Sequence, residues 1–445
     1  MLPQGYRNQR HSERGQTILL VAVSMVSLLA MAALAIDVVT LYVARTEVQR
    51  AADAAALVGA KAVADSGVTT LTSGDPNLPE TITLAQSMAT AAVLALINVS
   101  PPINNQVAGA PPTLVGGAPT FSNFAANNSN PTVTVTLQQT NLPTFFARIF
   151  GQRSATTSAS ATAEAYNPAN QANFTPITPR CVKPMLIANL DPTNGGAPFI
   201  DPATWKVRAN LASLASTPFH LRADCKTGPG CSTPLNNPMI SNSGDPMVEY
   251  VPASVATPTF ANACPSCAGG TSFEQGVACC DANTIYSCGG TTQTVGWDST
   301  TNPQDNGALS IGAAAGECLI HASTTGPAAG QDLLDYPSPW PSGPPRITAG
   351  TANPMSNQVV TTSSSIVTIP IIAPDGFSPP TSGPVTVFGF LQAFVDEVSD
   401  VSGHRGEVLI TVLNVVACSP TPNGNAPIVG GNGASTIPVR LITPP

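Results

Sequence analysis

The chain has 445 residues, only 9 % of them charged, and a formal net charge of −8. Such sparse charge excludes a Lys/Glu-rich helical bundle, and the acidic balance speaks against a nucleic-acid partner, which needs basic patches. A hydrophobic content of 43 % is not that of a disordered chain, and 36 Gly with 44 Pro and no fixed period points to a β- and loop-rich envelope or extracellular protein.

Arg7, Arg10 and Arg14 against Glu13 give residues 1–16 a net +2, so the remainder carries −10. This basic tail abuts residues 17–36, TILLVAVSMVSLLAMAALAI, a run of 20 residues without a charge. At 1.5 Å per residue the run spans about 30 Å, the thickness of a bilayer's hydrocarbon core. Asp37 closes it. Arginines before and acid after predict a transmembrane helix with a cytoplasmic N-terminus and an exported remainder; Arg14 and Asp37 mark the membrane boundaries. The text Ala33-Leu34-Ala35 leaves a second reading open, a signal peptide cleaved after Ala35.

Residues 37–66 contain no Pro, one Gly and many Ala. Val38, Leu41, Val48, Ala51, Ala52, Ala55, Val58 and Ala62 recur at spacings of three and four, with Arg45, Glu47, Gln49, Arg50 and Asp53 largely between them. That periodicity predicts an amphipathic helix continuous with the membrane span, about 75 Å in all. Its small residues Ala51, Ala55, Gly59 and Ala62 would allow close helix–helix approach as a packing interface. Packing of the same face on the protein's own head is the alternative.

Residues 67–79 read as a turn-rich break, and 82–98 as a second helix stopped by Pro101 and Pro102. A Gly/Pro/Asn-rich loop runs to about Pro131. Strands are expected at 132–136 and 154–165, with a short aromatic helical turn over 141–151 between them. From about Tyr166 the text becomes rich in Pro, Asn, Thr and Gly, and few elements are expected between 182 and 350. Strand patterns return at 365–372, 385–395 and 407–418; the middle one is apolar enough for a central strand. The expected organisation is a basic tail (1–16), a transmembrane helix (17–36), a helical stalk (37–100), a linker with the first strands (101–180) and a cysteine-containing head (181–445). The fold class is α+β: a transmembrane helix continuing into a long amphipathic helix, then a β-rich, loop-rich, disulfide-bonded exported head.

The ten cysteines are Cys181, Cys225, Cys231, Cys264, Cys267, Cys279, Cys280, Cys288, Cys318 and Cys418. An even count confined to the exported part reads as a disulfide framework. Cys225 and Cys231 could close a small loop, and a Cys181–Cys418 bridge would staple the two ends of the head. Zinc is the rival for Cys264, Cys267, Cys279, Cys280 and Cys288, but vicinal cysteines and the lack of a nearby His speak for disulfides. The histidines are His11, His220, His321 and His404, none with a partner three or four residues away. There is no nucleophile elbow, P-loop or dinucleotide fingerprint. Residues 298–307, DSTTNPQDNG, could be a calcium loop but lack EF-hand spacing and read as a polar turn. Trp205, Trp297 and Trp340 read as core residues before sugar platforms. No catalytic set, cofactor, metal or small-molecule substrate is expected.

The stretch from Arg14 to Ala60 resembles the N-terminal segment of Tad (tight-adherence) pilus-assembly proteins of the TadE/TadG-like group. Arg14-Gly15-Gln16, the apolar span, Ile36-Asp37-Val38, Leu41-Tyr42, Arg45, Gln49 and the run Ala51 to Leu57 carry the likeness. LPTFFARIFGQRSATTSASATAEA (142–165) and CVKPMLIAN (181–189) are similar to such proteins as well. FGFLQAFVDEVS and GEVLITVLNVVAC near the end are similar in style. The chain lacks the Asp-x-Ser-x-Ser metal motif that many TadG-type proteins carry; Asp400-Val-Ser402-Gly-His404 ends in His. The fifth residue after Gly15 is Leu20, where prepilin processing needs Glu. The resemblance therefore implies a pilin-like, membrane-held structural or docking component of a Tad/Flp-type system, with other pilus-assembly proteins as partners. A secreted or surface adhesin released by signal-peptide cleavage is the alternative.

Overall fold

A computed structural model describes residues 10–98, 111–124, 130–167, 177–223, 240–241, 246–255, 264–281, 283–286, 294–296, 311–321, 330–337, 340–372, 384–398, 407–418, 428–429 and 437–442. It begins with helix α1, Arg10–Asp65, 56 residues long and about 84 Å from end to end. Helix formers and the absence of proline let it run unbroken. Gly67 ends it: its φ is +79°, the left-handed turn that closes helices, and a Cβ there would stand 2.5 Å from Leu211 Cδ2. The helix starts within the segment expected as a tail. Helix α2, Leu78–Ile97, returns along α1 and buries Leu84, Ala85, Ala89 and Val93.

Both helices serve a five-stranded antiparallel sheet. Its long members are β1, Thr132–Pro143, and β2, Ser154–Ala165, paired from Thr132↔Glu164 to Pro143↔Ser154. Two short strands, Thr113–Leu114 and Thr120–Ser122, flank β1. On the other side β2 takes the C-terminal strand β9, Val439–Ile442. Val133, Val135, Leu137, Ala159, Ala161 and Ala163 turn inward, and the second half of α1 lies across them. The strand expected at 132–136 is thus seven residues longer. The aromatic turn shrinks to a 3-10 helix at Ala147–Phe150, because β1 continues through Pro143.

Six of the eight strands of the second sheet form a closed ring. Its strands are β3, Met185–Ala188; β4, Phe219–Ala223; β5, Met247–Pro252; β6, Ile366–Ile372; β7, Pro384–Val398; and β8, Val408–Ala417. Hydrogen bonding runs β7–β6–β3–β5–β4–β8, and β8 pairs back onto β7 from Gly389↔Ala417 to Val398↔Val408. Pairings β6–β3 and β5–β4 are parallel, the others antiparallel. A six-stranded ring is narrow enough for side chains to fill. Ile187, Leu221, Val248, Ile369, Leu391 and Val412 are among its buried apolar residues. The apolar text of 385–395 is explained: β7 has a neighbour on each side along most of its length.

Disulfides tie the loops to this barrel. Cys181 bonds Cys280, Cys264 bonds Cys279 and Cys267 bonds Cys318. The Cys181–Cys418 staple is therefore corrected: Cys181 is taken by Cys280, and Cys418 is oxidised with a partner outside the described residues. The zinc alternative fails for Cys264, Cys267, Cys279 and Cys280, whose sulfurs are bonded to each other or to neighbours. Cys225, Cys231 and Cys288 lie outside the described residues, as do Trp297, His404 and the loop 298–307. Trp205 packs on Phe388 with ring centroids 4.3 Å apart, and Trp340 is buried.

Candidate functional site: the apolar helix and its junction with the head

The first half of α1 projects away from everything described. Its side chains from Gln16 to Ile36 are almost all exposed, with Ile18 at 71 % and Leu29 at 67 %. By length and composition this helix could cross a membrane. α2 passes the same test, but Ala85, Ala89 and Val93 are wholly buried against α1 and the sheet, as in a core helix. Arg14 lies within α1; its side chain is outside the described residues.

Asp37 is where the helix meets the head. It is 4 % exposed, although the residues beside it are free. Its carboxylate accepts three backbone N–H bonds, from Phe145 at 2.8 Å, Phe146 at 3.0 Å and Ala147 at 2.6 Å. Those amides open the 3-10 turn Ala147–Phe150, so Asp37 caps a helix 108 residues away in sequence. Burial works to raise its pKa, but the three amides outweigh it and hold the carboxyl below the usual carboxylate range. The acid expected at a membrane boundary is, in the structure, a fastener for the loop after β1.

The face chosen for helix packing is occupied by the same chain. Ala51, Ala55, Gly59 and Ala62 are buried against β1, β2 and α2. A Cβ on Gly59 would stand 2.9 Å from Val133 Cγ1 and 3.1 Å from Val93 Cγ2. Of the two readings of this face, the described chain places the protein's own sheet and α2 against these four residues. Val38 and Val58, counted among the apolar positions of this helix, are exposed at 57 % and 36 %. The buried face is broad and also takes in Ala44, Val48, Ala52, Ala56 and Ala60.

The segment 181–189 builds the joint between sheet and barrel. Lys183, 4 % exposed, donates from Nζ to the carbonyl oxygen of Cys279 at 2.9 Å, and burial pushes its pKa down to about 7. It borders a cavity of about 740 Å³ lined by Ala62, Met88, Ala92 and the Cys181–Cys280 bridge. Asn189 closes the segment by donating to Ile200 O at 2.6 Å and accepting from Ile200 N at 2.9 Å. Among the described residues no group of three His, Cys, Asp or Glu is placed to hold a metal ion. His220, without a local partner in the sequence, faces Glu407 across the strand pair β4–β8, Nδ1 to Oε2 at 3.4 Å, with Arg222 Nε 4.0 Å from the same carboxylate. Strand pairing brings these three together, and no sequence spacing could have shown it.

No curated protein and no solved structure matches the chain. A family model does, over residues 15–62: the exposed apolar run, Asp37 and the buried alanine stripe. Residues 15–62 are a Tad-type segment, matching the Flp pilus-assembly TadE/G-like family.

Proposed function

We propose that the protein is a membrane-anchored structural component of a Tad/Flp-type pilus-assembly or secretion system. The observation that carries this reading is a coincidence of two features: the family match at 15–62 falls on the helix whose apolar run stays exposed. Residues 17–36 would span the bilayer, with the basic N-terminus in the cytoplasm and the head in the periplasm or outside the cell. Disulfides in the head fit an oxidising compartment. Because the alanine stripe is already covered, lateral contacts in the membrane fall to residues 17–36, and docking of other pilus proteins falls to the head's outer surface. We assign the chain no reaction; the family that residues 15–62 match is a pilus-assembly family.

Cell fractionation with mass-spectrometric sequencing of the mature N-terminus tests this. An intact N-terminus in a carbonate-resistant membrane fraction is the expected result. A chain beginning at Ile36 in soluble fractions would overturn the anchor and favour a secreted adhesin. A start at Gln16 would mean prepilin-type processing despite Leu20, and a subunit drawn into the fibre.

A further inference from the structure

We propose that the turn 144–151 is a second membrane contact, a foot resting on the outer leaflet beside the anchor. Phe145 and Ile149 would lie at the boundary of headgroups and acyl chains, and Arg148 and Arg153 at the lipid phosphates. The proposal rests on the anchored reading above. Asp37 sets the height of the turn. It follows the uncharged run directly, one helical step of about 1.5 Å beyond Ile36, and three amides of the turn are bonded to it. Whatever depth residue 37 takes, Phe145–Ala147 take it too. Enclosure of the carboxylate by three donors also lets its charge sit at the edge of the apolar layer without water.

The turn is built to hold its shape and still presents apolar groups outward. Thr144 Oγ1 donates to Gln152 O, Gln152 N to Ala147 O at 3.2 Å and Gly151 N to Arg148 O at 3.1 Å. Yet Phe145 is 59 % exposed and Ile149 78 %. A rigid turn with two large apolar side chains pointing away from its own core presents a surface to something. Charge identifies the occupant. Residues 141–153 contain Arg148 and Arg153 and no acid, a local +2 in a chain of net −8, and both arginines are exposed. Apolar tips ringed by arginine suit an anionic lipid surface. On α1 at the same level Val38, Val39 and Tyr42 are exposed too, Tyr42 at 71 %. Tyrosine there fits the aromatic belt of a membrane interface, so foot and helix share one apolar collar.

The test places single tryptophans in the full chain, reconstituted in vesicles whose acyl chains carry bromine, a contact quencher. Ile149→Trp reports the foot, Leu28→Trp the span, and Leu333→Trp an exposed strand position near the far end of α1. The unmodified chain supplies the background of its own three tryptophans. The expected result is quenching of the added emission for Ile149→Trp and Leu28→Trp, and none for Leu333→Trp. Quenching of Leu28→Trp alone would overturn the foot and leave the anchor standing; a protein partner covering the turn gives this outcome. Quenching of neither would overturn the anchor and the foot together. Quenching of all three would overturn the assignment to this turn, because the whole head would then lie on lipid.

Discussion

Asp37 and Lys183 each carry a role that no neighbouring residue reveals. Asp37 was legible as the lone acid that ends an uncharged run, a pattern expected at the edge of a membrane span. Its partners were not legible, since backbone amides leave no signature in side-chain text. Lys183 sat in a stretch with a family likeness but no assigned task; the structure buries its amine against the Cys279 carbonyl. With a folded pKa of about 7 and an ordinary value of 10.5, the unfolded chain holds a proton that the folded chain has released across that window. Raising the pH from 7 toward 10 therefore stabilises the fold through this group, by up to about 1.4 kcal/mol per pH unit. Lys61, Asp65 and Arg346 line the same cavity, but burial alone accounts for the depression. Denaturant midpoints in detergent at pH 7, 8 and 9 should climb for the native chain and stay flatter in Lys183→Met. Parallel slopes would mean the amine is protonated when folded.

At the scale of elements, α1 is one helix with two environments, and Gly59 is a point of close approach to the sheet. An alanine there gains about 1 kcal/mol of helix propensity. It also drives a methyl to 2.9 Å from Val133 and 3.1 Å from Val93, and overpacking of that kind costs about 1–3 kcal/mol. Gly59→Ala should therefore destabilise. Val133→Ala also destabilises, by opening a cavity, but the pair should lose less than the sum of the two, with a coupling of about 0.5–3 kcal/mol. Strict additivity in a thermal-unfolding cycle would show that helix and sheet are not in contact here. The existence of α1, α2, β1, β2 and the last three barrel strands was legible, because each repeats its apolar pattern over seven residues or more. β3, β4 and β5 were not, being four to six residues long within Pro- and Gly-rich text. Nor was ring closure, which depends on β7 pairing along both edges, whereas a sequence states only that a strand is apolar. Of the apolar positions spaced by three and four along α1, Val48, Ala51, Ala52, Ala55 and Ala62 are buried while Val38 and Val58 are exposed, because periodicity does not show how far a partner extends along a helix.

The whole molecule joins its two ends in one layer: α1 and β9 pack together on the same sheet, while the barrel is formed by the chain between. β9 covers the outer edge of β2. Val439 to Ile442 pair with Ala165 to Thr162, Tyr166 N donates to Pro438 O at 2.8 Å, and Arg440 pairs with Glu164 and lies 5.1 Å over the Tyr166 ring. Removing residues 439–445 would leave β2 with a bare ladder of backbone donors and acceptors, the kind of edge that recruits another chain. The barrel should not feel the loss, since β7 and β8 keep a bonded neighbour on both sides. Hydrogen exchange in detergent should therefore separate the two sheets. Amides of Thr162 and Glu164, which face β9, should lose protection and the truncated chain should run as larger assemblies, while the amide of Ala165, bonded to Pro131 O, and those of 389–395 keep their native protection. Unchanged exchange at Thr162 and Glu164 would mean that β9 is an accessory, and that α1 alone holds the sheet.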